Sequence, residues 1–283
     1  MQRITLAYSP DTDDAFMVQA LRAGHVSHPE YEFDFYSADI QELNERARTG
    51  EFDITAISVA AYPTMMHEYA LIPIGASVGN GFGPALVVMN DSKIDNLDAL
   101  SGKRIAVPGL QTTACLSAKV LLPTFTAVPA LFDEIEGVIK RGEVDAGILI
   151  HELQLRPESS GLRKLTNLGS LWQSRYSLPL PLGANAIRKS LGETVCTDLV
   201  DLYRKSVEYG LKHRQDTLRD ASAAAKHGVN LELSDEYIDM YVNQDSLHFS
   251  KSVLTSMQIL FTEGAQMGLW PRFAVNDECM RGN

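Results

Sequence analysis

Apolar and polar positions in the first sixty residues switch repeatedly between a period of two and a period near 3.6. "RITLAY" (3 to 8) and "YEFDFYS" (31 to 37) alternate as strands do. Between them "DDAFMVQALRAG" (13 to 24) has helical spacing, acidic residues in its first turn and Gly24 as its stop. Asp39 is placed to cap "IQELNERARTG", whose Ile40, Leu43 and Ala47 fall on one helical face before Gly50 ends it. "FDITAIS" (52 to 58) reads as the next strand. A series of this kind predicts a parallel sheet with helices on both faces.

Glycine and proline then cluster in "GASVGNGFGPALVVMN" (75 to 90), and the alternation resumes beyond it. "GKRIAVPG" (102 to 109) reads as a strand, "TTACLSAKVLL" (112 to 122) and "FDEIEGVIKRG" (132 to 142) as helices, and "DAGILI" (145 to 150) as a strand. After "SLPLPLGANAI" (177 to 187) the spacing predicts long helices over roughly 190 to 212, 214 to 227, 234 to 247 and 250 to 267. The pattern implies two α/β lobes with a hinge and an interlobe cleft. Residues 1–88 with 188–283 would form the larger lobe, and 89–187 the smaller. Ligands in such sheets sit beyond the carboxyl ends of the strands, so the cleft is where chemistry is expected.

The chain has 283 residues, enough for two such lobes, and 45% of them are apolar. Its 36 acidic against 25 basic residues give a formal charge of -11, which disfavours a nucleic-acid partner. Cys115, Cys196 and Cys279 are too few and too scattered for a disulfide framework or a CxxC metal site. The amino-terminal residues lack the apolar core of a secretory signal, and no segment is apolar enough to span a bilayer. A cytoplasmic protein without a membrane partner is expected.

Several motifs fail on inspection. "HE" at 151 and 152 would open a zinc-protease HExxH, but Leu155 stands where the second histidine must be. "GASVG" (75 to 79) matches the serine-hydrolase elbow, yet "NGFGP" after it cannot start a helix, which leaves a glycine-rich turn. "GNGFG" lacks the last glycine of a dinucleotide loop, with Pro84 in its place.

Strand ends remain as candidates. Thr112 and Thr113 open a helix after a Pro-Gly turn, where free backbone N–H groups and two hydroxyls would suit a carboxylate, or simply cap the helix. Ser9 and Asp14 after the first strand, and Ser58 after the third, are placed alike, and the aspartates of "SPDTDDAF" would serve equally as helix caps. Alternation puts Gly147, Leu149 and His151 on one face of a strand and Ile148, Ile150 and Glu152 on the other. His151 is therefore either a solvated strand end or, facing a cleft, a general base.

Taken in order, "SPDTDDAFM", "DIQELNERA", "ISVAAY", "GPALVV", "IAVPGLQTTA", "GEVDAGILIHE", "GLRKLTNLGSLW", "LPLPLGANAIRKSLG" and "YVNQDSL" resemble the 1,4-dihydroxy-6-naphthoate synthase family of the futalosine route to menaquinone. The resemblance covers nearly the whole chain. It implies a type 2 periplasmic-binding-protein-like fold. It also implies a lyase that splits cyclic dehypoxanthinyl futalosine into 1,4-dihydroxy-6-naphthoate and dihydroxyacetone, with no metal or organic cofactor. It further implies a proton-accepting role for His151 and substrate contacts at Ala56, Ile57, Ser58, Thr112 and Thr113. The expected ligand is a small-molecule carboxylate, and a homodimer is allowed but not specified. Many family members read "SPCPNDTF" where this chain reads "SPDTDDAF", and the residue after Glu152 also departs from the usual pattern. The alternatives on the same fold are chorismate dehydratase of the same pathway and a transporter's solute-binding protein.

Overall fold

The computed structural model describes residues 1–224, 231–243, 246–276 and 279–281. Among them, ten strands form two five-stranded sheets. The first contains β1 (Gln2–Tyr8), β2 (Tyr31–Ser37), β3 (Ile54–Ser58), β4 (Tyr69–Gly79) and β10 (Leu180–Arg188), in the order β2-β1-β3-β10-β4. The second contains β5 (Ala85–Met89), β6 (Arg104–Val107), β7 (Thr126–Pro129), β8 (Ala146–Leu149) and β9 (Leu162–Asn167), in the order β7-β6-β8-β5-β9.

Neither sheet is all parallel. β1 pairs in parallel with β2 and β3, but β10 lies antiparallel between β3 and β4. In the second sheet β6 is parallel to β7 and β8, whereas β5 runs antiparallel to β8 and β9. The parallel expectation is corrected on this point: β10 and β5 each pair with a strand far away in sequence, β3 and β8, and neighbours in sequence cannot announce such a pairing. Strand membership also places the exchange between sheets between Gly79 and Ala85 and between Asn167 and Leu180, ahead of the expected boundaries at 88 and 188.

The helices are α1 (Thr12–Arg22), α2 (Ile40–Ala47), α3 (Thr113–Leu121), α4 (Ile135–Lys140), α5 (Leu168–Tyr176), α6 (Glu193–Lys212), α7 (Arg214–Ala224), α8 (Leu231–Tyr241) and α9 (Lys251–Gln266). The last three positions of the helix expected over 214–227, and 244 and 245 of that expected over 234–247, lie outside the described residues. α1, α6, α7 and α8 close one apolar core against the first sheet, through Phe16, Tyr203, Leu218 and Ile238. A second core runs through both sheets and α9. Buried Trp172 of α5 belongs to it, and donates from Nε1 to Ser256 Oγ of α9 at 2.8 Å.

The glycine cluster is resolved differently from the expected turn. Gly75 to Gly79 complete β4, and Gly75 has φ +72°, where a Cβ would stand 2.5 Å from the Tyr203 ring and 2.6 Å from Asn185 Nδ2. Only residues 80–84 connect the sheets there. They cross the start of α5 so closely that a Cβ on Gly83 would lie 2.8 Å from Gly169 N, and one on Gly169 would overlap Phe82 O. Glycine is required here because backbone meets backbone.

Candidate functional site

The cleft between the sheets encloses about 610 Å³ when the open solvent at its mouth is counted. Ser9 and the start of α1 line it at the end of β1, as do Ala56, Ile57 and Ser58 at the end of β3. Ser77 of β4 and Leu182 to Ala184 of β10 complete the first-sheet side. The other wall comes from Pro84, the start of α3 and Ile150, with Tyr237 and Tyr241 of α8 between. Seven of the residues expected at the site, Ser9, Asp14, Ala56, Ile57, Ser58, Thr112 and Thr113, therefore converge on one cavity.

His151 is placed differently. β8 ends at Leu149, so the strand alternation does not reach position 151; Ile150 lines the cleft and His151 caps a short 3-10 helix over Glu152–Leu155. Its half-buried ring lies 5.7 Å from Phe132, and Nδ1 accepts from Leu153 N at 3.4 Å. A neutral imidazole whose Nδ1 accepts carries its proton on Nε2, so proton uptake through Nε2 requires the ring to give up this bond.

The two threonines divide the roles expected of them. Thr112 is the N-cap of α3: its hydroxyl donates to Gly109 O at 2.8 Å and accepts from Cys115 N at 3.2 Å. Thr113 instead joins the two halves of the molecule. It accepts from Ala60 N at 3.0 Å and donates to Leu182 O at 2.7 Å. Both hydroxyls are thus committed to structure, and what the α3 terminus offers a carboxylate is its first backbone N–H groups, which no turn of the helix can satisfy.

Asn44 of α2, fully buried, holds the end of β3: it accepts from Ser58 N at 2.8 Å and donates to Ser58 Oγ at 3.0 Å. Asp39 caps α2 as expected, accepting from Gln41 N at 2.7 Å. Its second oxygen accepts from Phe132 N at 3.2 Å across the cleft. On the same side Gln111 N donates to Gln41 Oε1 at 3.0 Å.

The opposite rim is tied by the segment after His151. Thr12 donates to Glu152, Tyr237 donates to Ile150 O, and Gln154 donates to the Tyr241 hydroxyl at 3.3 Å. Glu152 is therefore a partner of the first lobe rather than of its neighbour His151.

The floor is acidic. Asp14 accepts from Ser9 N at 3.0 Å, and Asp13 accepts from the Ser77 hydroxyl at 2.6 Å. Burial pushes the Asp14 carboxyl up to about 8, reinforced by the charge of Asp13. Burial also raises Asp11, with Asp13, Asp14 and Glu152 adding to the effect. Asp13 is raised by burial, with Ser77 opposing. Ser77, the serine of the rejected "GASVG" elbow, and Asp13, one of the aspartates expected to cap α1, could not be paired from the sequence because they lie 64 residues apart, on β4 and α1.

Two α/β lobes around a cleft, with helix termini and strand ends supplying its walls, define a protein with the periplasmic-binding-protein fold. A ligand-binding component of an ABC-type import system from Staphylococcus aureus superposes with a TM-score of 0.76 over 99% of this chain and 96% of its own, at 14% identity, a likeness of fold alone. A crystallised protein from Archaeoglobus fulgidus is closer, with a TM-score of 0.87 and 35% identity over 94% of this chain and 98% of its own. A 1,4-dihydroxy-6-naphthoate synthase from Thermus thermophilus is 34% identical over 95% of this chain and 96% of its own. The family model for menaquinone biosynthesis matches residues 4–266, and the chain belongs to that family.

Proposed function

We propose that the chain is a 1,4-dihydroxy-6-naphthoate synthase, a carbon-carbon lyase that converts cyclic dehypoxanthinyl futalosine to 1,4-dihydroxy-6-naphthoate and dihydroxyacetone. The observation that carries this reading is the 34% identity to a synthase of that name over nearly the full length of both chains. The cleft supports it, because the helix terminus on one wall suits a carboxylate. In this reading the first N–H groups of α3 hold the carboxylate, and Ala56 to Ser58 and Leu182 to Ala184 flank the ring system. His151 takes a proton from a substrate hydroxyl, so that the sugar-derived fragment departs as the new ring aromatises; aromatisation supplies the driving force. Closure of the lobes excludes water from that step. A cytoplasmic location and a homodimer belong to the same proposal.

Mass spectrometry of products after incubating the purified chain with the cyclic substrate tests it. The expected result is the naphthoate and the three-carbon product; conversion of chorismate instead would reassign the chain to the dehydratase of that pathway, and tight binding without turnover would favour a solute-binding role. Replacing His151 by Ala is expected to lower the rate on the order of 10²-fold or more while ligand binding persists. Turnover near the wild-type rate would remove His151 from the chemistry.

A further inference from the structure

Asp11, Asp13 and Asp14 bring three carboxylate oxygens to within 4.8 Å of one another at the cleft end of β1. Three oxygens of the group are buried without a hydrogen-bond partner: Asp11 Oδ1, Asp13 Oδ1, in a residue 4% exposed, and Ser9 Oγ, in a residue 1% exposed. Ser9 Oγ lies beside the Asp11 carboxyl and opposes the rise that burial gives it. Among the described residues no Lys, Arg or His forms an ion pair with any of the three aspartates, and Glu152 adds a fourth acid from the other lobe.

Three acids this close can all be ionised beside an anionic ligand only if positive charge intervenes. We propose that Asp11, Asp13 and Asp14, with Ser9 Oγ, form a site for one divalent cation. The donors are all hard oxygens, which select calcium, manganese or magnesium over softer metals. Three oxygens within 4.8 Å of one another lie inside the span of a single coordination sphere, so one ion can be reached by all three. The cation turns a repulsive floor into one that accepts a carboxylate or vicinal hydroxyls. It also departs from the cofactor-free site that the family resemblance implies. Positions 11 and 13 are where this chain carries aspartates in place of the Cys and Asn of "SPCPNDTF", so the site belongs to that departure.

The site stands independently of the lyase reading, and its test does not use turnover. Chelator-treated full-length protein is titrated with Mn²⁺ and the free ion followed by electron paramagnetic resonance, with Ca²⁺ and Mg²⁺ as competitors. One Mn²⁺ per chain, displaced by Ca²⁺ and accompanied by a higher unfolding midpoint, is expected. Asp13→Asn is expected to weaken that binding by about tenfold or more while the cation-free protein remains folded, because the substitution relieves repulsion; Asp11→Asn is expected to act in the same direction. Absence of saturable binding at millimolar Mn²⁺, or binding that neither substitution alters, would overturn the proposal.

Discussion

The Thr113 hydroxyl sits between a donor and an acceptor that belong to distant parts of the chain, Ala60 N and Leu182 O. Replacing it with Val keeps the shape and strands both buried groups, so a loss of about 1 to 3 kcal/mol is expected, read as a lower unfolding midpoint. Thr113→Ser should restore most of it; equal destabilisation by both substitutions would count against the bridging role. The prospect of Thr113 as a direct ligand for a carboxylate was legible in the sequence, since a Thr-Thr pair at a helix start has the right chemistry. Its actual partners were not, because they lie 53 and 69 residues away and depend on how the lobes meet. The same holds for Glu152. Alternation already set it apart from His151, but its partner Thr12 lies 140 residues away and gave no sign in the sequence.

Among the elements, α2 shows most clearly which interactions the sequence carries. Its cap is local, and Asp39 with the apolar face of Leu43 and Ala47 appears where the pattern puts it. Its work at the site is tertiary: Asn44, on a helix face that looks like an ordinary polar interruption, fixes both the backbone and the hydroxyl of Ser58. Asn44→Ala is therefore expected to cost about 1 to 3 kcal/mol by leaving a buried N–H unpaired, measurable as a lower denaturant midpoint with an unchanged slope. It should also loosen the β3 end and weaken ligand binding; full retention of both properties would show that β3 holds its end without α2. Strand and helix positions were largely readable because period and caps are short-range signals. The antiparallel seats of β5 and β10 were not, since each pairs with strands supplied from elsewhere in the chain.

At the scale of the whole molecule, the two lobes meet at a backbone crossing between residues 82–83 and Gly169. The sequence displayed the glycines but gave no sign that 82–83 and 169 face each other, and that contact, not turn chemistry, is what demands them. Gly169→Ala forces Phe82 O and Gly83 aside, and an expected cost of 1 to 3 kcal/mol or more should appear as a lowered unfolding midpoint and altered ligand affinity, whereas Gly192→Ala, where the added carbon meets nothing, should alter affinity little. With no side chain between them, the connectors act as the pin of a pair of shears. Sliding one lobe over the other is blocked, and rotation about the crossing is the motion that remains. The start of β10, where Thr113 is bonded, lies beside that pin, and Phe82 packs edge-on against Tyr241, which accepts from Gln154 on the rim. The crossing thus fixes the connectors and the rim that carries Glu152 together, and any opening of the cleft has to disturb the Phe82–Tyr241 contact as well.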